Sequence, residues 1–428
     1  MMGIKRRAFA PLVDVSIEDL VPADHFYRHL DAKLDLSFVR ELVKDRYSQI
    51  GGPSIDPVVF FRLQLCMFFE GIRSERKLMR VVADRLSIRL YLGYDLHEPL
   101  PDHSSLTKIR ERHGLRIFRR FFEEIVERCI DAGLVWGKEL YFDATKVEAN
   151  ASLDSVQPRF VVETHLAQLF DDQRKAADVD AVEPRPLPIS AAGDELEELA
   201  RSNGERHDWI AEDGRQDRRV ADPDYQRVSD YKASSTDPDS TLMPLKRGVH
   251  LGYHTHYVVD GGKARIILQA LVIPSEVMAN QPMLDLLWRC RFRWKLRPLQ
   301  VTGDTTYGTV ENIVAVEDEG IRANVPLPKT DKNSPLFRRR DFTRDEQREC
   351  CICPRGKLLK FSNRVNSKEI TVYRAKPGTC NACLLKGKCT TSSNGRSISR
   401  SFHEEYLNRV REYHQTDAYK NARRKRQV

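Results

Sequence analysis

The sequence predicts an α/β protein: a helical amino-terminal domain over residues 15–135, then a mixed-sheet domain interrupted by one acidic and one cysteine-rich insertion. Three observations lead to it. Apolar residues recur at helical spacing up to about residue 135 and change to strand alternation near Glu139. Between Ser155 and Leu245, 20 Asp and Glu stand against 11 Lys and Arg, a net of −9 that leaves +17 on the remainder of a chain whose total is +8. Six of the nine cysteines fall between Cys350 and Cys389.

At 428 residues and 41% hydrophobic, the chain is long enough for two or three modest cores without disulfides. Lys5, Arg6 and Arg7 lie near the start with no apolar run behind them, unlike a signal peptide. The longest apolar stretch, Val58 to Phe69, is broken by Arg62, Gln64 and Cys66 and is too short to span a bilayer. The expectation is a cytoplasmic protein with no membrane partner. The basic remainder reads either as a surface for a polyanion or as solvated charge that keeps the chain soluble.

In the helical domain, Asp56-Pro57 is a helix start, and the run to Gly71 is apolar on nearly every side, so that helix should be buried. Ser74 caps the next, where Leu78, Val81, Val82 and Leu86 form one apolar face and Arg76, Arg80 and Arg85 point elsewhere. Asp102 and Ser104 offer caps for a third, which carries Lys108, Arg110 and Arg112. Three short helices with a basic last one suggest a helix-turn-helix-like DNA-binding unit. A helical bundle with a charged outer face fits the same pattern.

In Glu139 to Thr145, Leu140 and Phe142 alternate with Tyr141 and Asp143, so a sheet begins there, opening a second domain over 136–330. The acidic insertion over 155–245, with Pro184, Pro186 and Pro188 and the acids Glu195, Glu197 and Glu198, is expected to be partly helical. Strand pattern resumes over His250 to Asp260, turns at Gly261-Gly262 and returns from Ile266 to Ile273, a hairpin whose second strand should be mostly buried. A helix from about Asn280 to Arg293, a strand segment Leu299 to Asp304, a helix near Thr309 to Glu319 and a strand Asn324 to Leu327 complete the order of an RNase H-like core. A cysteine-rich segment over 331–395 and a basic helix over 396–428 follow.

Asp143 and Asp304 sit where strands carry a carboxylate out of an apolar run. Phosphodiester chemistry uses paired Mg²⁺ ions, and hard cations want carboxylate oxygens held by a rigid sheet. A lone Asp after a strand is more often a turn or cap residue. The close grouping of Cys350, Cys351 and Cys353, then Cys380, Cys383 and Cys389, points to a four-thiolate zinc site rather than disulfides, with metal-free thiols as the other reading. Cys66, Cys129 and Cys290 are scattered and read as small buried apolar residues. His254 and His256 share the face of a half-exposed strand and take no role.

Several of these segments resemble insertion-sequence transposases of the DDE class, whose members pair an InsH-like amino-terminal domain with an RNase H-like catalytic domain. Tyr141 to Ala151 resembles the family's first aspartate motif, and Gly303-Asp304-Thr305-Thr306-Tyr307-Gly308 its second, although Thr306 stands where the family commonly shows Gly. Ser229 to Asp239, with Gly252-Tyr253 and Val258-Val259-Asp260, is similar to the segment around its second strand. Gly51 to Pro57 and Pro101 to Ser105 are similar to its amino-terminal domain. The resemblance implies Asp143 and Asp304 as catalytic ligands of Mg²⁺. It also selects Cys353, Cys380, Cys383 and Cys389 for structural zinc, with Cys351 in reserve.

The family's third acid is a Glu shortly after a basic run resembling Tyr413 to Arg426. This chain ends at Val428, and Glu404, Glu405, Glu412 and Asp417 precede that run, so none fits. The resemblance therefore implies a truncated, inactive copy. It also implies double-stranded DNA partners, both terminal repeats and target, and a homodimer for which the sequence shows no interface. A second function is a non-catalytic DNA-binding protein that occupies element ends as a repressor. A metal-dependent hydrolase unrelated to DNA explains neither the basic remainder nor the helical start. Nine Lys and Arg against four acids from Arg396 onward suit a helix laid along phosphates, or one left unpaired.

Overall fold

The computed structural model describes residues 16–47, 54–159, 161–162, 232–328 and 335–426. It is a mixed α/β protein with a helical amino-terminal region, and it divides into two units, Met1–Arg128 and Cys129–Val428. Most of the acidic stretch, including the segment around Pro184 to Glu198, lies outside the described residues. Among the described residues no helix is long and apolar enough to cross a membrane.

The first unit contains α1 (Ile17–Leu20), α2 (Phe26–Lys33), α3 (Phe38–Val43), α4 (Pro57–Phe69), α5 (Glu75–Asp84), α6 (Leu86–Leu92) and most of α7 (His103–Asp131). Local chemistry sets the starts. The Asp56 carboxylate accepts the Val58 N–H at 2.8 Å ahead of Pro57, and the Ser74 hydroxyl accepts the Lys77 N–H at 3.4 Å. Asp102 accepts the Ser104 N–H at 2.8 Å ahead of α7. Gly93, left-handed at φ 82°, ends α6, a conformation that costs glycine nothing. Phe60, Phe61, Leu63 and Cys66 of α4 pack with Leu78, Val82, Ile88 and Leu106 in one core. Contrary to the expectation of all-round burial, the last turn of α4 emerges, with Phe68 and Phe69 exposed. The basic third helix stops at Gly114, where φ 64° and ψ 175° interrupt the helical path, and a further helical stretch then runs to Asp131, so α7 is two helices in sequence.

The second unit is built on a mixed sheet. Its strands are β1 (Glu139–Glu148), then, beyond a small ribbon of β2 (Val156–Pro158) and β3 (Lys232–Ser234), β4 (Thr241–Leu245), β5 (Gly248–Asp260), β6 (Ile267–Pro274), β7 (Gln300–Thr302) and β8 (Arg322–Asn324). The order is β4-β5-β1-β7-β8, with β6 also on β5. β1 is antiparallel to β5 and parallel to β7, which is parallel to β8. Helix α8 (Met283–Trp294) joins β6 to β7, and α9 (Val310–Asp318) joins β7 to β8. The β5–β6 turn is fixed by Asp260, whose buried carboxylate accepts the N–H groups of Trp136, Gly137 and Gly262 at 3.0, 2.7 and 2.8 Å.

Two strand expectations need correction. β6 is not mostly buried: Ile267 and Val272 are exposed, because among the described residues the strand is an edge that pairs with β5 alone while α8 covers one face. The last strand is Arg322–Asn324 rather than Asn324 to Leu327, since pairing with the short β7 sets its length.

A second, wholly antiparallel sheet follows, ordered β13-β12-β11-β10-β9, from β9 (Thr343–Asp345), β10 (Cys350–Ile352), β11 (Leu358–Val365), β12 (Ile370–Arg374) and β13 (Ser397–Ser401). Phe342, Cys351, Leu359, Tyr373 and Ile398 form its core. Two short helices, α10 (Pro377–Asn381) and α11 (Lys386–Cys389), sit between β12 and β13. The segment over 396–428, expected as one basic helix, opens instead with β13 and then breaks into α12 (Glu404–Tyr413) and α13 (Asp417–Arg426). α12 packs on α9 through Tyr413 Oη and Arg409, which reach Glu317 at 3.0 and 3.2 Å, and the following His414 meets the Val325 carbonyl just past β8 at 2.9 Å.

Candidate active site

Strand β1 is buried from Glu139 to Phe142, and Asp143 is the first side chain to emerge. Tyr141 pairs with Thr302 on the parallel neighbour β7, so Asp143 and Asp304 each lie two residues beyond that pair, at the same edge of adjacent strands. Neighbouring strands run about 4.8 Å apart, so the two aspartates follow the same end of adjacent strands. Asp304 is fixed by its own loop, its Oδ1 accepting the Thr306 N–H at 2.8 Å to cap the turn Thr305–Tyr307. Asp143 Oδ1 accepts the Ala144 N–H at 3.0 Å and meets Arg426 Nη1 at 3.2 Å. Arg426 is the last described residue of α13, whose Tyr419 and Ala422 are buried where the helix lies against β7 and β8. Its side chain is 17% exposed and that of Asp143 55%.

Behind the carboxylates lies a buried pair. The Tyr307 ring packs edge-on to Phe142 at 6.2 Å between centroids, and its hydroxyl bonds His256 Nδ1 at 3.1 Å. His256 is 0% exposed, and its Nε2 has no partner among the described residues. The strand is therefore not half-exposed at this position, because Tyr307 folds over it. Burial pushes the His256 imidazole down to about 4, helped by His254 and opposed by Asp304. Burial also pushes the Tyr307 hydroxyl well up, with Asp304 and Asp143 adding to it. Both rings are thus neutral near pH 7, and the hydrogen bond joins two uncharged groups.

Glu404, Glu405, Glu412 and Asp417 do not supply a carboxylate beside this pair. Glu404 is held by Arg339 and Arg411, and Asp417 by Lys420 at 3.0 Å. Glu405 and Glu412 are exposed on α12. The charge that α13 brings to Asp143 is Arg426. In the sequence Arg426 belongs to a basic run that suits phosphates; only the packing of α13 reveals Asp143 as its neighbour.

Lys108, Arg110 and Arg112 are all exposed on α7. Arg110 is paired with Glu75, and Arg112 lies over the Tyr47 ring at 5.2 Å. Lys108 has no ion pair among the described residues.

Cys353, Cys380, Cys383 and Cys389 line one small cavity of about 30 Å³. The Lys357 N–H donates to Cys353 Sγ at 3.3 Å and the Arg396 N–H to Cys380 Sγ at 3.4 Å. Burial pushes the Cys389 thiol up, so its thiolate needs a compensating cation. Cys351 is instead buried in the core of the second sheet. Among the described residues, no three His, Cys, Asp or Glu side chains are arranged as a ready-made metal site.

Two family models match the chain. One is the Transposase domain (DUF772), over residues 15–112, and the other the Transposase DDE domain, over residues 352–428. The chain is thus similar to transposase domains in both its helical and its carboxy-terminal parts. Together the two matches support a DDE transposase of an insertion sequence. Neither curated proteins nor solved structures yield a match. Asp143 and Asp304 fall between the matched segments, so their reading stands on register and resemblance.

Proposed function

We propose that the chain is the transposase of a bacterial insertion sequence, in which Asp143 and Asp304 bind Mg²⁺ for DNA cleavage and strand transfer at the element's ends. The observation that supports this reading is the register Tyr141↔Thr302, with Asp143 and Asp304 each two residues past that pair. The element order β1, hairpin β5–β6, α8, β7, α9, β8 supports an RNase H-like core. When bound, Mg²⁺ supplies positive charge that polarises the scissile phosphate and steadies the leaving oxygen. The chain's own part is to hold the carboxylates rigidly. The sheet fixes Asp143, the Thr306 N–H orients Asp304, and Tyr307 braces the loop against Phe142. The helical domain would hold the duplex, with Lys108, Arg110 and Arg112 on its exposed face.

The thiol set Cys353, Cys380, Cys383 and Cys389 suits structural zinc, since a shared cavity and N–H groups aimed at sulfur favour thiolates. It would lock α10 and α11 onto the second sheet.

A second reading, a DNA-binding protein that does not cut, draws on the Arg426 guanidinium, which stands on Asp143 where a cation would bind. One experiment separates the two. The chain is incubated with DNA bearing element ends, with and without Mg²⁺, beside Asp143→Asn and Asp304→Asn. Cleavage that needs Mg²⁺ and is lost in both variants supports the enzyme; binding with no cleavage by the native chain leaves the non-catalytic reading.

A further inference from the structure

Apart from the aspartate pair, the second sheet carries an open cavity of about 370 Å³, a volume at the lower end of the roughly 300–1,000 Å³ typical of small-ligand sites. Arg344, Arg364 and Arg400 line it with the aromatic rings of Tyr373 and Phe402. Two acids also line it, Glu346 and Glu404. Glu404 is already engaged by Arg339 and by Arg411 at 2.7 Å, with Arg400 at 3.9 Å. Arg364 is exposed and meets no carboxylate among the described residues; its guanidinium stands 6.0 Å from the centre of the Phe402 ring, which is 42% exposed. Arg344 is fixed over Tyr373 at 4.7 Å and donates to the Cys350 carbonyl at 3.1 Å. Residues 335–403 as a whole hold sixteen Lys and Arg against five Asp and Glu.

We propose that this cavity takes one unpaired nucleotide of a DNA strand, its phosphate between Arg364 and Arg400 and its base against Phe402. The inference rests on the reading of the chain as a protein that acts on DNA. A guanidinium that meets no carboxylate, as that of Arg364 among the described residues, is matched to phosphate oxygens, and Arg400 stands only 3.9 Å from Glu404, a contact that phosphate can replace. An exposed ring inside a concave site serves a base that has left its stack, because a duplex keeps its π-faces covered. The size of the cavity fits a single nucleotide and not a duplex groove.

Fluorescence anisotropy on the full chain tests it, with a labelled oligothymidine strand and a blunt duplex of matching length over a range of salt. Arg364→Gln and Phe402→Leu each weaken single-strand binding by about fivefold or more. Arg364→Gln also flattens the plot of log affinity against log salt by about 0.7, and Arg364→Lys restores that slope. Duplex affinity is unchanged in all three variants. Both side chains are exposed, and circular dichroism checks that each variant is folded; the two substitutions probe the cavity independently. Unchanged single-strand affinity and slope, in variants of a chain that still binds DNA, overturns the cavity assignment alone. Equal losses on strand and duplex overturn the unpaired nucleotide. Failure of the native chain to bind either probe overturns this proposal together with the DNA reading.

Discussion

Replacing Tyr307 by Phe removes one hydroxyl and keeps the ring that packs on Phe142 and against Gly303. The loss falls on His256. Its Nδ1 bonds the Tyr307 hydroxyl at 3.1 Å and its Nε2 has no other partner among the described residues, so the variant leaves a fully buried imidazole with neither nitrogen satisfied. Stranding a buried polar group costs about 1–3 kcal/mol. The unit Cys129–Val428 unfolds with an entropy on the order of 0.6 kcal/mol per degree, so its midpoint should fall by roughly 2–5 °C. Scanning calorimetry at pH 7 without added metal reads this shift. A second measurement looks at the site: the loop from Gly303 to Gly308 holds Asp304, so loosening it raises the Mg²⁺ concentration needed for half-maximal cleavage. A midpoint within a degree of the native value would show that the bond braces nothing. A lower midpoint with unchanged Mg²⁺ dependence would show that it braces the sheet but not Asp304.

Three further outcomes are expected. Arg426→Gln frees Asp143 from a partly exposed ion pair worth on the order of 1 kcal/mol or less, so Mg²⁺ titration of cleavage should shift to lower concentration by up to about fivefold; a shift the other way would mean that Arg426 helps to hold the site. Metal analysis should find one zinc per chain, lost in Cys380→Ser and Cys389→Ser, and chelation should lower the thermal midpoint; a metal-free chain of unchanged stability would leave the thiols without a metal role. Burial pushes the His113 imidazole below its usual value, with Arg112 and Arg46 adding to the effect. The stability it confers is complete above the unfolded value of about 6.5 and drains away as pH falls from there toward the folded value, because the unfolded chain takes up a proton that the folded one excludes. Urea unfolding of the full chain, followed by helical circular dichroism from neutral to mildly acidic pH, should show this slope, and His113→Gln should flatten it.

How far the sequence discloses this molecule depends on the range of the interaction that decides each feature. Caps are local: the side chains of Asp56 and Ser74 reach N–H groups two and three residues on, and both helix starts are legible. The hairpin is nearly as local, since Asp260 and the glycines after it sit at the turn itself. Burial of β6 was not legible, because an apolar run looks the same at the centre of a sheet and at its edge. The split of the terminal segment into β13, α12 and α13 depends on pairing with β12 and on docking to Glu317 and Val325, partners far away in sequence.

The same rule divides the candidate site. Asp143 and Asp304 could be picked out because each follows an apolar strand and each lies in a motif-like setting. What sequence could not show is that β1 and β7 are parallel neighbours with Tyr141 opposite Thr302, two residues before each acid. The sequence sets His256 on a half-exposed strand face with no role, yet its partner, Tyr307, is 51 residues away and reaches it across the sheet. Two signals could have found the pair. His256 lies opposite Ala144, one residue past Asp143, once β1 and β5 are paired, and Tyr307 stands three residues after Asp304. A sheet hypothesis, followed through to its register, would have placed a buried histidine and a tyrosine behind the carboxylates. Arg426 offers no such route, because its contact with Asp143 depends on the docking of α13 against β7 and β8, where Tyr419 and Ala422 are buried.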